Sequence, residues 1–335
     1  NVSLQRELWP GHILNLAYVG SAGVHLLNRL NPNQMAHPSE ELIQALADNL
    51  NVTASIPWYI RDYSGANTQF SRIHYIDTYG HSNYNALQAT FSRRLQQGLQ
   101  FQANYTWSTA FDNYSDVCYV ENGSAAFNSD YYNLGYDRGY ASFDVRQVFN
   151  ASVIWELPLG PGRRFGGGLT GWQAQLAGGW QVNAIVQANS GYPLDYKVPR
   201  DTLGTGYTNN RGPARPDVAD YDVVTDPANN ILGPTQANFY WSSAYINLRH
   251  PQGNYYRGSF RGPGYWNVDL SILKDVALPW FTADGARLQF RAEAFNLFNH
   301  TNWVIPNLNF SSSNMGKSYD AYANRQIQLG VKFIF

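Results

Sequence analysis

The sequence predicts an all-β protein, a transmembrane antiparallel β-barrel to which residues 1–335 contribute about nine strands. Three observations lead there. Segments of roughly ten residues alternate apolar and polar side chains, the connections between them alternate short and long, and the composition is poor in charge but rich in aromatics.

Only 14% of the 335 residues are charged, against about 25% in soluble domains, while aromatics reach 15% with 24 Tyr and 10 Trp. Polarity therefore comes mainly from neutral side chains. A formal net charge of -1 and a pI near 6.7 concentrate no cation for phosphate binding, which removes nucleic acid as a partner. Cys118 is the single cysteine, so no internal disulfide forms. Mean hydropathy is -0.40 and no run of about 18 apolar residues occurs, which excludes transmembrane helices but not strands, whose two faces average out.

Residues 99–108 carry the clearest pattern: Leu99, Phe101, Ala103, Tyr105 and Trp107 alternate with Gln100, Gln102, Asn104, Thr106 and Ser108. A period of two gives a strand with one apolar and one polar face. Upstream, Asn85, Leu87, Ala89 and Phe91 alternate with Ala86, Gln88, Thr90 and Ser92, and Gln96-Gln97-Gly98 supplies the turn of a hairpin. The pattern recurs over 180–189, with Ile185 as the one apolar residue on the polar side. Further strands are predicted at 2–8, 13–20, 145–157, 265–273, 288–295 and 326–335.

Short connections fall at 9–12, 95–98 and 275–286, and long ones at 22–83, 109–143, 191–263 and 297–324. The stretch 158–179, with the glycine-rich turn GPGRRFGGG from Gly160, belongs to the short side with a modest insertion. Outer-membrane barrels have this asymmetry, with short periplasmic turns and long external loops. Aromatics on the apolar side form two belts: Tyr18, Tyr105, Trp107 and Trp266 outside, and Trp155, Trp180, Phe333 and Phe335 inside. A soluble sandwich would place the same apolar face in its core, but two belts and asymmetric connections are not sandwich features. Within the first long loop, Ser39 and the apolar spacing after it predict a short capped helix. Asn1 starts inside an alternating pattern with no initiator Met or signal peptide, so further chain is expected upstream.

Catalytic signatures are missing: there is no nucleophile elbow, P-loop or zinc-ligand spacing, so neither an enzyme nor a cofactor is expected. His74 and His81 lie in or beside a loop without ligand spacing, so no metal site is assigned there. Asp217, Asp220, Asp222 and Asp226 could supply oxygens to Ca²⁺ but lack EF-hand spacing, and a solvated loop is the simpler reading. Arg93, Arg94, Arg163 and Arg164 gather at the periplasmic end, where snorkelling to headgroups accounts for them. Gln88, Gln100, Gln102, Asn104, Gln181, Asn183, Gln187, Gln326 and Gln328 form a neutral amide lining for the lumen. The loop aromatics Phe239, Tyr240, Trp241, Tyr255 and Tyr256 are the candidate ligand contacts, because ring faces stack on sugars or apolar solutes. In the last strand Ile327, Leu329, Val331, Phe333 and Phe335 place apolar residues at alternate positions, which resembles the C-terminal motif read by the barrel-assembly machinery.

Longer stretches resemble the barrel of TonB-dependent receptors of the Oar-like group. They include NLAYVGSAGVHLL from Asn15, SNYNALQATFSRRL from Ser82, GLQFQANYTWSTAFDN from Gly98, FDVRQVFNASVIWELPLG from Phe143, GGWQVNAIVQANSGYPL from Gly178, GPGYWNVDLSILKD from Gly262 and LQFRAEAFNLFNHTNW from Leu288. The resemblance implies the C-terminal part of a 22-stranded barrel whose N-terminal plug, coupled to the TonB complex, is absent from these residues. It implies TonB-dependent uptake of a solute by the parent receptor in the bacterial outer membrane, with outer-membrane lipid as partner. A secreted glycan-binding β-protein and a passive porin are the alternatives.

Overall fold

The computed structural model describes residues 1–33, 73, 75–115, 128–196, 215–240, 253–278, 281, 285–310 and 312–335. Cys118, His74, Trp241 and the helix expected after Ser39 lie outside the described residues.

Antiparallel pairing builds one continuous sheet in which nine strands follow one another: β1 (Val2–Trp9), β2 (His12–Leu30), β3 (Tyr75–Gln96), β4 (Leu99–Asp112), β6 (Gln147–Glu156), β7 (Trp180–Asn189), β10 (Tyr265–Leu278), β11 (Ala286–Phe295) and β12 (Gln326–Ile334). The short β5 (Gly139–Tyr140) adds to β4, while β8 (Pro193–Leu194) and β9 (Phe260–Arg261) pair with each other outside the sheet. All nine predicted strands are present. The sheet is open, with β1 and β12 at its edges.

Two of the tight turns show how local chemistry sets register. Trp9 pairs with His12 across Pro10-Gly11, where Gly11 has φ 78°; proline followed by a left-handed glycine is the chemistry of a type II turn. Gln97 and Gly98 have φ values of 55° and 78°, the two positive angles of a type I′ hairpin, the twist of which matches that of its strands.

Register then aligns the apolar positions of neighbouring strands. One row runs Leu4, Leu16, Ala89, Tyr105, Phe149, Ala188 and Trp266; another runs Phe101, Val153, Ala184, Leu270, Ala294 and Ile327. Apart from Arg6 on the edge strand β1, which falls in the row of Leu14, Phe91 and Ala103, the middle of the face is apolar from strand to strand, and it is open to its surroundings: Leu4 is 66% exposed and Leu329 77%. A soluble sandwich would bury these side chains. Trp266 and Lys274 bracket the span on β10, about 26 Å along the strand at roughly 3.3 Å per residue, or roughly 20 Å of height at a barrel tilt of about 40°, somewhat less than the ~25 Å apolar band of outer-membrane barrels. Tyr18 and Trp107 share one outer row through Leu87. Trp180 shares an inner row with Lys274 and Phe290.

The structure departs from expectation at three connections. β2 and β3 run to 19 and 22 residues, so residues 22–30 and 75–83 of the supposed loop are ribbon standing beyond the belt; a bulge with His25 at φ 56° breaks the alternation that would have revealed it. The insertion at 158–179 contains a helix, α1 (Gly171–Ala177). The segment after β7 and the segment after β11 fold together around a shared core, formed by Leu194, Tyr196, Val218, Phe239, Tyr255 and Phe260 from the first and Phe310 and Met315 from the second.

Candidate lumen and extracellular cap

The polar sides of the strands share the face opposite the apolar one, the lumen side of an outer-membrane barrel. Their amides pair partly with one another: Gln102 donates to Asn104 at 3.1 Å, Thr90 to the same Asn104 oxygen at 3.0 Å, and Gln181 to Asn183 at 2.8 Å. Ile154 and Ile185 also point inward and stay 40% and 50% exposed. Toward β10 and β11 the lining becomes charged. Gln289 donates to Asp275 at 2.9 Å, Arg291 Nε to Gln289 at 2.7 Å and Ser271 to Glu293 at 3.3 Å, while Asn267 donates to Asp269 at 2.8 Å. The amide reading missed this stripe, although inward positions 287, 289, 291 and 293 show it by the same period of two.

Three arginines, Arg215 buried and Arg257 and Arg261 half-buried, fasten the cap to the rim. Arg215 meets Asp137 at 2.5 Å, donates to the Tyr136 carbonyl at 2.8 Å and lies over the Tyr136 ring. Arg257 pairs with Asp112, and Arg261 with Asp144. Asp137 also accepts from Ser129 N and Oγ, both at 2.6 Å, and Asp144 accepts from Ala110 N at 2.6 Å. Asp112 ends β4 and the other five residues lie in external segments, so each pair joins parts of the chain that are distant in sequence. Burial raises the hydroxyl pKa of Tyr196 and Tyr255 above the ordinary tyrosine value, and also that of Tyr136, where Arg215 opposes the shift.

The predicted ligand aromatics do not form one surface. Tyr255 is only 1% exposed; its hydroxyl donates to the Leu194 carbonyl and its ring packs on Tyr196, Phe239 and Phe260, so its expected role as an open stacking face is corrected to that of a core residue. Phe239 is buried with it. A long external segment needs apolar side chains to order itself, and it takes them from these aromatics. Tyr240 and Tyr256 remain 59% and 45% exposed, Tyr256 edge-on to Tyr140.

Other aromatics converge instead at the outer mouth of the lumen. Asn189, Tyr192, Tyr265, Trp303, Ile305 and Tyr322 line a pocket of about 210 Å³ where β7 ends and β10 begins. Tyr265 and Tyr322 meet at 5.3 Å in an edge-to-face pair. Rings with one amide can hold a sugar or a flat apolar solute. Tyr265 could have been found from alternation, because Trp266 faces outward; Trp303 and Tyr322 sit in irregular backbone and carry no such signal.

The acidic loop spends its carboxylates locally. Asp217 accepts from Asn254 N, Asp220 from Asp222 N, and Asp226 from Ala228 N and from both nitrogens of Asn229, which holds its pKa below the usual value. Of the four expected periplasmic arginines, Arg163 pairs with Glu156 at 3.1 Å, Arg93 donates to the Gln96 carbonyl at 3.2 Å and Arg164 lies over Phe165. Ile327, Leu329, Val331 and Phe333 share the outward side of β12, and Phe335 stacks on Phe333 at 5.5 Å.

No curated protein matches this chain. Among solved structures it is similar to the outer membrane transporter YddB from Escherichia coli, at 9% identity and a TM-score of 0.44, over 98% of this chain and 31% of that one. It is also similar to FpvA from P. aeruginosa, solved bound to a heterologous pyoverdine with iron, at 10% identity and a TM-score of 0.37, over 96% of this chain and 24% of that one. The chain thus spans about a third or less of the length of either transporter. The family model described as "Outer membrane beta barrel domain" matches residues 1–328, nearly the full length, and the chain belongs to that family.

Proposed function

We propose that residues 1–335 are the C-terminal part of the barrel of a TonB-dependent receptor of the Oar-like group, whose parent protein takes up a solute across the bacterial outer membrane. One observation carries the reading: a nine-stranded sheet, apolar outside and polar inside, stays open at both edges beneath a folded cap. Lipid does not tolerate unpaired strand edges, so other strands must complete the wall. A wide barrel needs a plug to be selective, and the inward Ile154 and Ile185 among amides suit a packed plug better than a water-filled channel. The solute would meet the mouth pocket at Tyr265, Trp303 and Tyr322 first, with Tyr240 and Tyr256 as outer contacts. Binding and transport, with no catalytic step, then account for every group described. In this reading β12 carries the signal for the barrel-assembly machinery through Ile327, Leu329, Val331, Phe333 and Phe335.

The exposed apolar face and the family membership remove the secreted glycan-binding alternative. A passive porin is separated by conductance: the full-length protein in planar bilayers should hold no steady open channel. A stable, large, unplugged conductance would instead establish the porin.

A further inference from the structure

Helix α1 occupies an unusual place for part of a periplasmic turn. It stands against the outward face of β10, with Trp172 74% and Leu176 63% exposed. Three contacts hold it there. Lys274, at an outward position of β10, donates from Nζ to the carbonyls of Gln175 and Gly178, where a cation complements the C-terminal end of a helix. Trp180 Nε1 donates to the Leu176 carbonyl at 3.0 Å, and Ala277 N donates to Gln175 Oε1 at 3.3 Å.

Between the helix and the sheet runs a groove of about 880 Å³. Trp172 and Leu176 form one wall; Ile272, Phe290, Leu329 and Val331 form the other. Ala292, opposite Ile272 and Leu329 in its cross-strand row, leaves the floor low. Lys274 is the outward cation beside it. An ammonium has three donors; two meet these carbonyls, and Nζ also lies 5.4 Å from the centre of the Trp180 ring, which lines the groove with it.

We propose that this groove is a binding site for one inner-leaflet glycerophospholipid, an acyl chain lying between α1 and β10–β12 and the phosphate meeting Lys274. Several features favour this occupant. The groove is continuous with the face that outer-membrane family membership puts in lipid, and it lies at the short-turn, periplasmic end. Its walls offer almost no hydrogen-bonding groups, which suits a hydrocarbon chain and would leave a peptide's backbone unsatisfied. Its volume falls within the roughly 300–1,000 Å³ typical of small-ligand sites. The site does not depend on the uptake reading.

The test is native mass spectrometry of the full-length protein, extracted in mild detergent and supplied with palmitoyl-oleoyl phosphatidylethanolamine. The expected result is one retained phospholipid per barrel. Trp172→Ala, outside the sheet and harmless to barrel folding, and Ala292→Trp, which fills the floor, should each lower occupancy about tenfold, the loss of one buried side-chain contact. Ala184→Trp, on the same outward face away from the groove, should leave occupancy unchanged. Absence of retained lipid in the parent protein would overturn the proposal, as would equal loss in Ala184→Trp, which marks bulk annular lipid. A dimer that Trp172→Ala dissociates would also overturn it and assign the groove to a second copy.

Discussion

Ala103 and Gln102 are neighbours on β4, alike in depth and backbone but opposite in direction. Ala103 lies in the outward row with Phe91 and Ala151, and Gln102 bonds to Asn104 on the lumen side. Arg at 103 should therefore destabilise the protein by about 2 to 4 kcal/mol, while Arg at 102 should cost far less. Denaturant unfolding in micelles measures the difference; equal costs would refute the face assignment. These directions were legible in the sequence because alternation is a local property. Tyr255 was not, since the same ring can be presented or packed, and the choice depends on Tyr196 and Phe260, which join it only in the fold. Its burial has a consequence at alkaline pH. A hydroxyl with a raised folded pKa keeps its stabilising contribution below the unfolded value of about 10 and loses it as pH rises beyond that. The cap should loosen above about pH 10, seen as tyrosinate absorbance accompanied by loop proteolysis, with far-UV signal from the sheet retained. Because exposed tyrosines also ionise, the signal of the buried ring is taken as the difference from a Tyr255→Phe variant; that difference appearing near pH 10 with the cap still protease-resistant would contradict the burial of the ring.

Among the elements, strands were read well and loops poorly, for one physical reason. A membrane strand repeats every two residues, so 180–189 could be delimited from its own side chains. α1 has only seven residues, and its N-cap Thr170 makes no side-chain cap bond; its position comes from Lys274, far along the chain. The cap likewise depends on long-range pairs. Asp137→Ala would leave Arg215 buried without its partner, at a cost of about 3 to 5 kcal/mol localised to the cap. Faster proteolysis of the external loops, with heat-modifiable migration of the barrel intact, is the expected outcome; unchanged loop protection would mean that the pair does not hold the cap. β12 offers another element-scale prediction. Deleting Phe335 from the full-length protein should lower its amount in the outer membrane, because the ring completes the alternating outward series. Unchanged levels of folded, heat-modifiable protein would remove the assembly role from β12.

For the molecule as a whole, the decisive feature is the continuity of one apolar face across nine strands, from Leu4 to Leu329. Rows contributed by distant strands agree with one another in polarity, with Arg6 of the edge strand as an exception, a consistency that single-strand alternation cannot by itself guarantee. The central claim is that this face meets lipid and the opposite face meets water, and it is tested most directly by spin labels placed one at a time at positions 100–107 of the full-length protein in vesicles, in a Cys118→Ser background. Accessibility to oxygen, which partitions into lipid, should peak at Phe101, Ala103, Tyr105 and Trp107, and accessibility to a water-soluble nickel chelate should peak or stay highest at Gln100, Gln102, Asn104 and Thr106. Two profiles out of phase with period two are the predicted result; profiles that rise and fall together, or a reversal of the two phases, would contradict the account.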